Sequence, residues 1–280
     1  MTGQLAAIGA ALSWTLASGL WRSVSGAGSA LTLNGLKNGL ACLLFLPVLL
    51  TIPWLDNTEA VIGLLLSGAI GIAAGDSFYL AALRRLGTRR TLTVEALGPV
   101  LASIGSVVMM GEMLSSRAWI GAALVTVAVM LVAGSGEANS RDSAGVLLAL
   151  TAVICGLTGA FLARQVLISS GLSPIQTAAI RLLGGWLALL PVLGRSGGSC
   201  WPMPATGRIR ILVATALGTN LGIALQQLVF QQMAVGPGVT LMSTAPVMAL
   251  CIGHWEGDPI QARGVVAAGL AVAGVACISL

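Results

Sequence analysis

Acidic residues number nine, basic residues fourteen and histidine one in a chain of 280 residues. With ionisable groups this sparse, those inside long apolar runs are the places to look for chemistry. Glu95 is the sharpest case: it lies about two helical turns into an apolar run, four residues before Pro99. A charge at mid-bilayer costs on the order of 2.5–3.5 kcal/mol on insertion scales, so it should face a cavity or a partner. Glu95 is therefore a candidate proton or cation site, with a structural ion pair as the competing reading. Thr91, Glu95, Pro99, Ala102 and Ser106 follow helical spacing and would give one small, polar face suited to a cavity wall. Asp76 follows Gly75 and precedes Tyr79 by three residues. It could share a vestibule with Glu95, or pair with Arg84 or Arg85 by snorkelling.

Two cations also sit within apolar runs. Lys37 lies with Asn34 and Asn38 in a polar strip, and Arg181 lies near Gln176 and Thr177. One reading has them hold the negative end of a substrate. The other has them anchor helix ends to carbonyls or lipid phosphates. Lys37 and Glu95 fall at similar depths. If they touch, each lowers the other's cost and proton coupling through Glu95 is disfavoured. Asn220, Gln226 and Gln227 form a further polar group, in which Asn220 and Gln227 share a face; tying helices together is the favoured role over substrate contact. Trp14 lies mid-run, where lipid-facing bulk is favoured over stacking or gating.

Enzyme chemistry finds little to work with. The five cysteines, at 42, 155, 200, 251 and 277, are scattered and show no metal or disulfide spacing. His254 stands alone, and neither a Gly-x-Ser-x-Gly elbow nor a phosphate-cradling Gly-x4-Gly-Lys-Ser/Thr loop is present. No metal and no cofactor is expected.

The elements that must position these residues are membrane-spanning helices. The composition is 56% hydrophobic and 8% charged, with a mean hydropathy of +0.96. A soluble protein is roughly a quarter charged, so an ordinary soluble enzyme, a disordered chain and a nucleic-acid module are all excluded. Crossing roughly 30 Å of hydrocarbon takes about 20 apolar residues in a helix. Ten such stretches are predicted: 4–23, 29–51, 60–83, 89–111, 116–134, 144–167, 173–194, 209–232, 238–255 and 260–279. The first lacks a basic flank and is read as a span, not a cleavable leader. Continuous runs, not alternating ones, exclude a β-barrel. Trp21, Trp54, Trp119, Trp201 and Trp255 fall near span ends, as an interfacial belt predicts.

The sequence also repeats itself. Leu46-Pro47-Val48-Leu49 recurs as Leu190-Pro191-Val192-Leu193, and Lys37 falls on Arg181, both at a shift of 144. Arg22 falls on Arg164 at 142, and Gly121 on Gly264 at 143. Gly71, Gly75 and Pro99 fall on Gly218, Gly222 and Pro246 at 147. This predicts a five-helix unit over 1–134, a linker over 135–143 and a second unit over 144–280. Because five is odd, the second unit would enter the membrane from the opposite side, an inverted arrangement found in many transporters. The two Gly-x3-Gly pairs read as close-packing faces. Pro47, Pro99, Pro191 and Pro246 read as kinks that free a carbonyl, with Pro99 the best hinge candidate. The acids do not repeat: Asp76 and Glu95 fall on Ile223 and Met242.

The motifs Ala82-Leu83-Arg84-Arg85-Leu86-Gly87, Leu97-Gly98-Pro99-Val100, Gly111-Glu112-Met113-Leu114 and Trp119-Ile120-Gly121-Ala122 resemble the EamA domain of the drug/metabolite transporter superfamily. A weaker version recurs in Ala245-Pro246-Val247, His254-Trp255-Glu256 and Gly264. The resemblance covers nearly the whole chain and implies an all-α, ten-helix carrier of small metabolites. Glu112 and Glu256 resemble the family's acidic helix-end mark, for which a structural interfacial role is expected.

The function expected is secondary active transport of small polar metabolites such as amino acids, as exporter or exchanger, with protons as a candidate coupling ion. The alternative is a flippase for lipids or lipid-linked sugars on the same scaffold. The partners expected are a small-molecule substrate and the bilayer of the plasma (inner) membrane, with no nucleic acid; the chain would act as a monomer or homodimer. Ten arginines, among them Arg84, Arg85, Arg89 and Arg90, fall on the face of the odd-numbered connections; the face with both termini holds only Arg117 and Arg164. The positive-inside rule then puts the termini outside. The resemblance implies cytoplasmic termini; the charge distribution is preferred here.

Overall fold

A computed structural model describes residues 2–22, 30–133, 142–195, 205–248 and 262–279. Regular structure among these is helical: α1 (Thr2–Arg22), α2 (Ala30–Leu44), α3 (Leu46–Leu49), α4 (Thr58–Gly68), α5 (Gly75–Glu95), α6 (Gly98–Met110), α7 (Ser116–Ala133), α8 (Ser143–Ser169), α9 (Pro174–Arg195), α10 (Ala205–Ala214), α11 (Gly222–Gln232), α12 (Val235–Met242) and α13 (Ala262–Ser279). Helical backbone resumes after α12 at residue 245. Five helical runs are long and apolar enough to cross a membrane: Thr58–Leu86, Thr91–Met110, Ser143–Ser169, Thr206–Gln232 and Ala262–Ser279. The chain is an all-α polytopic membrane bundle.

Two stretches depart from α-helical hydrogen bonding. Ala69–Ala74 joins α4 to α5, and Thr215–Leu221 joins α10 to α11, both as π-helix. Each contains the first glycine of a Gly-x3-Gly pair, Gly71 or Gly218, and the second, Gly75 or Gly222, opens the α-helix that follows. Neither π stretch is legible in the sequence. The bundle also breaks helices before three prolines, the first at Phe45 between α2 and α3, ahead of Pro47. Ala96 and Leu97 form a turn between α5 and α6, and Ser243 and Thr244 form one after α12. Pro47, Pro99 and Pro246 lack the N–H that would bond the carbonyl four residues back, which accounts for the breaks. Pro191 behaves differently and stays inside an uninterrupted α9.

Helical backbone is continuous from Gly75 to Glu95, through the predicted connection. A straight helix would separate Asp76 from Glu95 by about 28 Å. Their carboxylates are instead within electrostatic reach of each other, so the run is not straight.

Small residues govern the packing, because lipid offers no hydrophobic drive between helices. A Cβ on Gly68 would overlap the Arg181 carbonyl, and one on Gly184 would overlap that of Leu65. This brings α4 and α9 backbone to backbone. Gly159 on α8 rests on Gly71, and the Ser67 hydroxyl donates to the Gly159 carbonyl at 2.6 Å. Gly121 on α7 and Gly274 on α13 face each other in the same way.

The pairings form a pattern. α8 packs along α4, the first π stretch and α5, as α1 packs along α10, the second π stretch and α11. α9 packs on α4 and the first π stretch, while α2 packs on the second. α6 pairs with α12, and α7 with α13.

Candidate functional site

The polar residues of the bundle interior gather where α2, α5, α9 and α11 meet. Asp76 stands two residues past the first π stretch. Each extra residue in a turn rotates the rest of the helix by roughly 100°, so the π stretch helps decide where Asp76 and Tyr79 point. The Lys37 Nζ donates to Asp76 Oδ2 at 2.7 Å. Two pairings that the sequence left open are therefore not made: Lys37 does not pair with Glu95, and Asp76 does not pair with Arg84 or Arg85. Asp76 keeps 40% of its side-chain surface accessible, far more than a group sealed between helices. Arg85 reaches Asp142 instead, at 3.8 Å across an exposed surface.

Asp76 is the hub of the cluster. Its carboxylate lies within electrostatic reach of Glu95, Tyr79 and Arg181. Glu95 is the last residue of α5, and among the described residues no cation pairs with it. Three residues on, Gly98 is buried, yet a Cβ there would meet nothing within 4 Å. Open space therefore adjoins the helix break. The continuous cavity wall expected through Ala102 and Ser106 is not formed. Both are fully buried against α12, and the Ser106 hydroxyl accepts from the Gly236 N–H at 2.8 Å. The break at Ala96–Leu97 separates Glu95 from that packed face.

Arg181 is 3% exposed, and its Nη1 donates to Gln226 Oε1 at 3.2 Å. Its Nη2 lies 3.4 Å from where a Cβ of Gly71 would be, so the bare glycine makes room for the guanidinium. Arg181 Nε has no partner among the described residues. Gln226 also accepts from Gln227 Nε2 at 3.4 Å, and Gln227 is fully buried. Spacing along the helix singles out Asn220 and Gln227 as the residues sharing a face; the residue touching Arg181 is Gln226. Its signal lies in the repeat, since Gln226 falls on Tyr79 at the shift of 147.

Other candidates bond within the bundle. Asn38 donates to Asn34 Oδ1 at 3.2 Å, and both are buried. Asn220 Nδ2 ties α2 at the Ala41 carbonyl, 2.9 Å away. Trp14 is partly exposed and packs against α11. Its indole lies on Gly222, where a Cβ would overlap Nε1. Gly75 and Gly156 occupy the corresponding crossing, and a Cβ on Gly156 would meet nothing within 4 Å. His254, Trp255 and Glu256 lie outside the described residues.

One polar contact lies away from the cluster. Arg164 Nε pairs with Glu112 Oε1 at 2.9 Å, with side chains 14% and 17% exposed. The same guanidinium donates to the Phe230 carbonyl, near the end of α11. This joins the ends of α6, α8 and α11.

Among the described residues no three His, Cys, Asp or Glu side chains gather as a metal site. The arrangement offers adjacent charges of both signs inside a membrane bundle, which suits binding and release of a polar solute.

Comparison with known proteins agrees with this. The profile of the EamA-like transporter family matches residues 1–134 and again residues 143–280. A relative from Archaeoglobus fulgidus, described as an uncharacterized transporter, is 31% identical over 150 residues, 53% of this chain and 53% of the relative. The match thus spans about half the length of that curated relative. A solved structure described only as the crystal structure of a protein superposes with a TM-score of 0.82 at 18% identity, covering 98% of this chain and 95% of that one. That likeness is one of fold. With the family profile matching both parts of a polytopic helical bundle, the chain belongs to the EamA-like transporter family.

Proposed function

We propose that this chain is a secondary active transporter, an exporter or exchanger of small polar metabolites such as amino acids, with protons as the coupling ion. The observation that carries the reading is the Lys37–Asp76–Arg181 cluster with Glu95 beside it, inside the bundle and partly accessible. Intramembrane ionisable groups that face an interior space mark solute and proton paths. Glu95 is the proton and cation site in this reading, and Tyr79 lines it.

Two inverted five-helix repeats, 1–134 and 144–280 about a linker, would supply the moving parts. The double profile match, the π stretches, the proline breaks and the reciprocal pairing of helices all support that division. Broken helices at a repeat interface are a recurring way of building a transporter site. The arginine distribution supports cytoplasmic odd-numbered connections and external termini; terminal reporter fusions active only in the cytoplasm would reverse that orientation.

Flux into proteoliposomes tests the function. Uptake or counterflow of amino acids should follow a pH gradient, and Glu95→Gln should abolish the gradient dependence. Unchanged flux in Glu95→Gln would remove Glu95 from the mechanism. Transport of lipid-linked sugars that needs Lys37 and Arg181 but not Glu95 would favour a flippase instead.

A further inference from the structure

The two interior cations are not equivalently satisfied. Lys37 contacts a carboxylate, Asp76, at 2.7 Å. Among the described residues Arg181 contacts a neutral amide oxygen, at 3.2 Å, and its Nε has no partner while the residue is 3% exposed. Asp76 is in electrostatic reach of Arg181, but Lys37 already sits on that carboxylate. Arg181 is thus a buried guanidinium whose charge no contact among the described residues answers, a costly state unless something anionic completes it. An arginine fork is suited to two oxygens of one carboxylate. Gln226 Oε1 supplies one oxygen to that fork from a half-buried position at the edge of the site.

We propose that Arg181 and Gln226 form the carboxylate subsite of the transporter, with Gln226 Oε1 holding the place that a substrate oxygen takes. Its ligand is a small zwitterion: the carboxylate goes to Arg181 and the ammonium to Glu95, which no cation occupies among the described residues. Lys37, Asp76, Arg181 and Glu95 together balance in formal charge. A zwitterion preserves that balance, whereas a simple anion or a simple amine upsets it. This inference rests on the transporter reading above and assigns the ends of its substrate.

The test is counterflow of a labelled mixture of neutral L-amino acids in proteoliposomes holding the full chain, with decarboxylated amines as competitors. Gln226→Glu places a tethered carboxylate on Arg181. It should lower amino-acid counterflow at least tenfold, with a thermal midpoint equal to or above that of the wild type, and leave inhibition by the amines within twofold. Should that variant fail to fold, Arg181→Lys decides. It keeps the charge but loses the fork, and should raise KM for amino acids at least fivefold without changing inhibition by the amines. Wild-type counterflow of amino acids that Gln226→Glu leaves within twofold would overturn the subsite and spare the transporter reading. If the wild type moves no neutral amino acid, the amino-acid reading itself fails and takes the subsite with it.

Discussion

The parts of this bundle that correspond at a shift of 147 use the same backbone devices for different ends. Each has a π stretch around the first glycine of Gly-x3-Gly and a helix broken before proline. In the first, the break comes after Glu95, beside the open space at Gly98. In the second it comes after Met242, buried with Phe230, Leu241 and Phe161 in an apolar cluster. Lys37 meets an acid; Arg181 meets an amide. Gly75 faces Gly156, while Gly222 is covered by the Trp14 indole. Scaffold and chemistry are thus separable. Glycine and proline shape both parts, while the acids Asp76 and Glu95 of the first are replaced by Ile223 and Met242 in the second.

Four experiments bear on this contrast. The largest effect is expected where the parts are stitched together. Arg164→Leu leaves Glu112 buried without its cation and the Phe230 carbonyl uncapped. It should cost about 3–5 kcal/mol, seen as a lowered unfolding midpoint in detergent, and Glu112→Leu in the same chain should restore most of it. Exchanging the break residues, as Glu95→Met with Met242→Glu, should cut flux at least 100-fold, about 2.7 kcal/mol of transition-state free energy. Retained flux would mean that the parts are interchangeable and the contrast empty.

Gly156→Trp copies the Trp14 arrangement onto the Gly75 crossing. Transport should fall about tenfold, roughly 1.4 kcal/mol, with the midpoint near that of the wild type; an unaffected rate would show that no solute passes there. The smallest effect belongs to Asp76→Asn. With 40% of the Asp76 side chain accessible, breaking its pair should cost about 1 kcal/mol or less. A double-mutant cycle with Lys37→Met measures the coupling, and a value near zero would make the pair incidental.

Some of this is readable from residue order. Run length and hydropathy give helices because backbone polar groups in lipid must be satisfied within the segment. The phase of the prolines anticipates the breaks, since a missing N–H acts locally. The cost of intramembrane charge picks out Lys37, Asp76, Glu95 and Arg181 as a group.

Which partner each charge takes is decided elsewhere. Lys37 sits at a depth that would suit Glu95, yet it contacts Asp76. Trp14 has the sequence position of lipid-facing bulk, and its indole packs over Gly222. Such choices depend on helix rotation, and here rotation is set by two π stretches and by backbone contacts at Gly68, Gly71 and Gly184. Hydropathy and spacing describe one helix at a time and assume a fixed turn. The direction in which a side chain points is fixed only when neighbouring helices close on one another.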